Sequence, residues 1–183
     1  MKYDAAISNA WAEAGEAAKG ENPAIRFLSD KYEVDIGKKS VLSVSCNIPA
    51  RPYLVILILH YLKSVKKGLS LLKGEWISFR EIPGGEGYYP AFRKRVIDTV
   101  LRKYKESPEA LLDLVESFGA RKAGLADISV IIEVFYGVPV LINFWKGDED
   151  FGPDANVLFD KSIKDIFCAE DIVVMSELVA HSI

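Results

Sequence analysis

The chain has 183 residues, half of them apolar and 27% charged, with 13 Gly and 8 Pro. That length predicts one globular domain spanning residues 1–183, and the composition excludes collagen-like, disordered and coiled-coil chains. A core of this size folds without disulfides or a structural metal. Lys plus Arg is 23 against 26 for Asp plus Glu, a net charge of −3, so no global basic field exists to draw nucleic acid, and no nucleic-acid partner is expected.

Along the chain, Asp4 is the expected N-cap of a first helix over residues 5–19. Ile7, Trp11 and Ala14 share one face, and Gly20 stands where a C-cap glycine belongs. Residues 31–36 alternate with Tyr32, Val34 and Ile36 on one side, Gly37-Lys38-Lys39 turns, and 41–44 continues as β-favouring sequence, which predicts a hairpin. After a loop over 47–52, residues 53–65 are apolar on nearly every side and predict a buried helix, with a strand as the alternative reading. Residues 74–87 are Gly-rich and loop-like, with a short strand over 76–79.

Pro90 is the expected first residue of the next helix. Phe92, Val96, Ile97, Val100, Leu101 and Tyr104 form its apolar stripe. Ser107-Pro108 restarts a helix as N-cap and first residue; Leu111, Leu112, Val115 and Phe118 give its buried face and Gly119 ends it. Two runs rich in Val, Ile and aromatics, 128–135 and 138–145, flank Tyr136-Gly137 and read as an antiparallel hairpin at the sheet centre. An acidic loop over 146–156, a short apolar piece over 157–159 and a helix over 170–180 with acids in its first turn complete the chain. Strands in pairs and helices in blocks define an α+β class: a single domain with an antiparallel or mixed sheet of paired strands packed against several helices.

Cys46 and Cys168 form no C-x-x-C pattern, so neither a disulfide framework nor a zinc or iron–sulfur motif follows, and both are expected as buried reduced thiols. The N-terminal residues carry no apolar signal core, and no Asn-x-Ser/Thr site occurs, so a cytoplasmic location is expected. The apolar run over 53–62 is too short for a bilayer, and Glu133, Gly137, Pro139 and Asn143 interrupt the run over 128–145, so no membrane association is expected.

Three places could carry chemistry. The string from Trp76 to Pro90 brings Gly84, Gly85 and Gly87 toward a helix start, where backbone N–H groups and the helix dipole suit a phosphate or carboxylate, with Arg80 and Arg93 as bidentate partners. It lacks the Gly-Lys-Ser/Thr of a P-loop and the third glycine of a dinucleotide fingerprint, and the alternative is a tight turn with packed aromatics. The acidic string Asp148-Glu149-Asp150, with Asp154, Asn156 and Asp160 beyond, offers oxygen ligands to a hard cation, but fails the EF-hand spacing. Its alternatives are a solvated loop, or a partner for the basic helix side of Arg93, Lys94, Arg95, Arg102 and Lys103. Last, His60 sits in the most apolar helix. It reads as a hydrogen-bonded core histidine, or as the one core residue able to coordinate a metal or cofactor iron, while His181 near the C-terminus is no convincing base. Glu133 points to solvent, pairs with a base, or titrates high in a pocket.

Two strings carry a resemblance: Trp76-Ile77-Ser78-Phe79-Arg80-Glu81-Ile82-Pro83-Gly84-Gly85 followed by Tyr88-Tyr89, and Trp145-Lys146-Gly147-Asp148-Glu149-Asp150-Phe151 followed by Asn156-Val157-Leu158-Phe159-Asp160 and Glu170-Asp171. On these the chain resembles the family catalogued as domain of unknown function 3786 over nearly its whole length. The resemblance implies a setting in anaerobic bacteria and archaea, where some relatives carry an added iron–sulfur domain, and an accessory role in anaerobic metabolism. With only Cys46 and Cys168 available, a cluster is not expected here, and no cofactor is assigned.

Because the strings coincide with the glycine-rich and acidic loops, the expectation is one site where the two loops meet. Arg80 and Arg93 then face Asp148, Asp150 and Asp160, and Trp76, Tyr88, Tyr89 and Trp145 line a pocket for a small anionic ligand or a partner segment. An enzyme using Glu81, Asp148 or Asp160 in acid–base or divalent-metal chemistry is one alternative. A protein-interaction subunit, as a homodimer, is the other.

Overall fold

A computed structural model describes residues 3–18 and 21–183, so the C-cap expected at Gly20 lies outside the described residues. Helix α1 (Asp4–Ala18) starts one residue earlier than expected, with Asp4 inside its first turn and Ala10, Trp11 and Ala14 buried. Strands β1 (Ala24–Phe27), β2 (Asp30–Asp35) and β3 (Ser40–Ser43) make a small antiparallel sheet in the order β1-β2-β3. β2 and β3 are the hairpin read from the alternation. β1 is an addition, since four residues interrupted by Arg26 carry no periodicity of their own.

Helix α2 (Pro52–Gly68) is the helix expected from the apolar run. Strand β4 (Trp76–Ser78) leads through a 3₁₀ turn into α3 (Gly85–Phe92), which continues as a π-helical turn (Arg93–Ile97) and then α4 (Asp98–Tyr104). Pro90 therefore lies within a helix instead of opening one. The true start is set by Gly84 in the left-handed region, φ 81°, and the widened turn begins three residues beyond the proline, whose missing N–H already interrupts the α-helical ladder. The helix expected after Ser107 is a 3₁₀ helix (Pro108–Asp113) followed by one α-turn, α5 (Leu114–Ser117), with Gly119 at φ 62° closing it.

The main sheet contains β5 (Arg121–Lys122), β6 (Ile128–Phe135), β7 (Val138–Trp145) and β8 (Asp154–Asp160), all antiparallel in the order β4-β8-β7-β6-β5. The short apolar piece over 157–159 is thus the middle of a seven-residue inner strand. After a 3₁₀ turn, α6 (Ala169–Ser182) ends the chain. The architecture is α+β.

One face of the main sheet, carrying Val140, Ile142, Phe144, Val157 and Phe159, joins the buried core with Val96, Val100, Met175 and Val179. Phe79 stacks on Phe92 at 4.3 Å, and Tyr61 on Phe135 at 4.4 Å; aromatic pairs of this kind add about 1 kcal/mol each beyond their burial. Among the described residues no helix is long and apolar enough to cross a membrane.

Candidate functional site

Two cavities lie away from both loops, along the seam between α2 and α6. On α2, Tyr53, Ile56, His60, Lys63, Ser64 and Lys67 recur at helical spacing and line it, and Cys168, Asp171 and Val174 answer from α6. A cavity of about 480 Å³ is bounded by Glu13, His60, Lys63, Ser64, Lys67, Ser70, Asp165, Cys168 and Asp171. On the other side of His60 a second, of about 340 Å³, is bounded by Tyr3, Ala6, Tyr53, Ile56, Arg95 and Glu170, with His60, Cys168 and Asp171 shared between the two. The first falls in the size range of small-molecule sites.

His60 is the hinge of this seam. Its Nδ1 lies 3.0 and 2.9 Å from the two carboxylate oxygens of Asp171, across 111 residues of sequence. Asp171 is the third residue of α6, only 7% exposed, and its Oδ2 also accepts from the Cys168 backbone N–H at 3.4 Å and from the Cys168 thiol at 3.3 Å. One buried carboxylate thus caps a helix and holds an imidazole. The Asp171 hydrogen bond raises the His60 pKa above its ordinary value, against the burial that lowers it, with further support from the Asp171 and Glu13 charges. A proton on Nδ1 directed at Asp171 leaves Nε2 for the cavity, and Nε2 has no hydrogen-bond partner among the described residues.

The other charges of the larger cavity are mostly matched. Lys63 Nζ sits 2.7 Å from Glu13, which lowers the Glu13 pKa, and Ser70 Oγ donates to Asp165 at 3.1 Å. Lys67 has no ion pair among the described residues. Cys168 is an exposed residue whose sulfur is set against Asp171, and Cys46 is exposed as well, so neither is the buried thiol expected. Burial, then the neighbouring Asp171 charge, push the Cys168 thiol pKa up, which keeps it protonated and a poor nucleophile. Arg95, aimed into the seam from the π-helical turn, is held by Glu177 through its Nε at 3.0 Å. Among the described residues no group of three or more His, Cys, Asp or Glu side chains is arranged to hold a metal ion.

The expected site residues fall elsewhere. Arg80 pairs with Glu86 at 3.2 Å and lies over the Tyr89 ring at 3.9 Å. Glu81 accepts from the Ser78 N–H at 2.7 Å and the Ser78 hydroxyl at 2.9 Å, which lowers its pKa. Gly84 and Gly85 make the turn: a Cβ on Gly85 would stand 1.9 Å from the Phe79 carbonyl oxygen. Tyr88 is exposed. Asp148 accepts from the N–H groups of Asp150 and Phe151 at 2.9 and 2.8 Å, closing its own loop, and these bonds lower its pKa. Asp160 is buried; burial pushes its pKa up, but hydrogen bonds from Lys73, Ser162 and Gly74 outweigh this and hold it low. Those bonds tie the 69–75 loop to the end of β8.

The two strings meet along β4 and β8, where Trp76, Ile77 and Ser78 pair with Asp160, Phe159 and Leu158, and Arg93 reaches Asp154 at 3.5 Å and Asp98 at 3.7 Å. Of the basic helix side, Arg95 turns to Glu177 of α6 and Lys103 to the carbonyls of His181 and Ile183, while Arg102 donates to Thr99 on its own helix. Trp76 pairs with Asp160 and Trp145 with Asp154, so the tryptophans mark opposite ends of β8, about 20 Å apart along the strand. Trp76, Asn156, Asp160 and Trp145 do share one face of the sheet by strand alternation. Glu133 is exposed and paired with Arg26 at 2.6 Å.

These features define a two-sheet α+β protein with a polar seam between two helices. The chain belongs to the family described as Domain of unknown function (DUF3786), whose model matches residues 7–182. No curated protein and no solved structure matches it.

Proposed function

We propose that the chain is a binding module for a small anion, a phosphate or carboxylate group, received in the α2–α6 seam. The observation that carries this is the His60 imidazole, gripped by buried Asp171 through Nδ1 and presenting an unpartnered Nε2 to a cavity of about 480 Å³. A raised pKa favours the imidazolium, so Nε2–H becomes a charged donor, and Lys67 adds a second cation. This moves the anionic ligand expected from the glycine-rich loop to a different part of the fold. The role as an accessory module in anaerobic metabolism, and a cytoplasmic location, remain the setting we propose for it.

The same dyad favours a second reading, an enzyme in which neutral His60, oriented by Asp171, takes a proton from water or a hydroxyl at Nε2. The raised pKa works against it near neutral pH, where a protonated ring is no base.

Thermal-shift measurements with phosphate, citrate and nucleotides separate the cases. A bound anion should raise the midpoint of the wild type by mass action, more at pH 6 than at pH 8, and should do so far less for His60→Gln and Lys67→Ala. A shift of equal size in His60→Gln would place the ligand elsewhere.

A further inference from the structure

The seam continues beyond the two cavities that share His60. A third cavity, of about 440 Å³, follows α6 past Glu177, Leu178 and His181, and shares Tyr53, Arg95 and Val174 with the cavity before it. A fourth, of about 230 Å³, shares Tyr53 and Leu178 with the third and runs over Ile48, Pro49 and Leu54. The two helices pass in opposite senses: Tyr53 and Leu178 meet at one end, His60 and Asp171 in the middle, and Ser64 and Ile166 at the other. The four cavities are thus stretches of one groove floored by α2, with Ala6 and Glu13 of α1 on the wall facing α6. From Leu54 to Lys67 the floor spans about 20 Å at the rise of an α-helix.

The chemistry of the groove changes along its length. Charged and hydroxyl groups line the Lys67 end, whereas Tyr53, Leu54, Ile48, Pro49 and Leu178 line the other. Most charges are matched: Glu13 by Lys63, Asp171 by His60, and Arg95 by Glu177, while Asp165 accepts from Ser70 and lies 3.8 Å from Lys73. Glu170 stands exposed at the start of α6, on the far side of His60. Lys67 and the His60 Nε2 are left for a ligand, and the apolar stretch begins directly beyond them at Ile56 and Val174. Resting on the anion site argued above, we propose that the ligand is an amphiphile: a carboxylate or phosphate head held at His60 and Lys67, carrying an unbranched aliphatic body along Ile56, Tyr53, Val174 and Leu178. From His60 to Tyr53 the floor rises about 10 Å, a stretch that an octanoate-sized body covers. The head answers the unmatched positive charge, and the body covers half-buried apolar side chains that gain by leaving water.

Titrations of the His60 imidazole resonance at pH 6 test this, using inorganic phosphate, acetate, butyrate, hexanoate, octanoate and octyl phosphate. In the wild type each added CH₂ should tighten binding about twofold, half the free energy of full burial because the groove is open on one side, or roughly sixtyfold from acetate to octanoate. Octyl phosphate should exceed inorganic phosphate similarly, and the longer gain of the two series identifies the head. Octanol, the same body without a charge, should leave the resonance in place. Val174→Gln and Leu178→Gln, at half-buried helix positions, should each cut the octanoate-to-acetate ratio about threefold or more while keeping the wild-type circular dichroism spectrum. If phosphate moves His60 but chain length changes nothing, the amphiphile is overturned and the anion site stands. If no anion moves His60, both fall. An octanoate gain unchanged in both folded variants places the body outside the groove and overturns the proposal.

Discussion

The α2–α6 seam and the central strands of the main sheet treat polar groups in opposite ways. In the seam, Asp171 is buried and well partnered: the His60 Nδ1 lies within reach of both its oxygens, and Oδ2 also accepts from a backbone N–H and a thiol. On the sheet face, Asn143 is buried with its carbonyl oxygen unmet. A satisfied carboxylate that leaves one imidazole nitrogen over a cavity supports the small-anion site proposed above.

The largest effect is expected at the turn into α3. Gly85→Ala forces a methyl group into the Phe79 carbonyl and should cost about 3 kcal/mol, lowering the thermal midpoint by roughly 6–12 °C. Gly84→Ala, with open space around its Cβ but a left-handed backbone, should cost only about 1–2 kcal/mol. Equal costs at the two positions would break the view that Gly85 is there for packing.

Next comes Asp171→Ala, which removes the helix cap and leaves His60 without its partner. The half-exposed imidazole limits the loss to about 2–3 kcal/mol, read by denaturant unfolding. A change within about 0.5 kcal/mol would show that the carboxylate contributes little to the fold.

The smallest effect is in pH. His60 has a folded pKa above its unfolded one, so its share of stability is complete below about pH 6.5 and is lost as pH rises through the folded value. Midpoints of the wild type should therefore fall slightly from pH 6 to pH 8.5 relative to those of His60→Gln, and a relative rise would reverse the assigned sign.

Much of the fold was readable from periodicity. The 128–145 hairpin, the helix over 53–65 and the β2–β3 hairpin depend on runs of apolar residues that local pattern reveals. β1 and the full length of β8 escaped because their residues are too few or too polar to show a period, and pairing with neighbours decides them. Pro90 misled because its position was judged by preference alone, whereas the left-handed Gly84 sets the helix start.

The candidate site was legible only in fragments. His60 stood out as a lone polar residue on an apolar helix, and Asp171 as a first-turn acid, but nothing local joins residues 111 apart. The glycine-rich and acidic loops drew attention through residue types that also serve turns, as Gly85, Asp148 and Asp160 do here. Strand alternation did align Trp76, Asn156, Asp160 and Trp145 on one face, a placement that needs the register of β4, β7 and β8.

The most direct measurement is proton NMR of the imidazole resonances, because the chain has only two histidines, His60 and His181. His60 should titrate above the ordinary histidine value of about 6.5, and addition of inorganic phosphate or citrate at pH 6 should shift its resonance saturably and raise its pKa further. A His60 that titrates at or below the ordinary value, with a resonance unmoved by either anion, would contradict the assignment of the seam as an anion site.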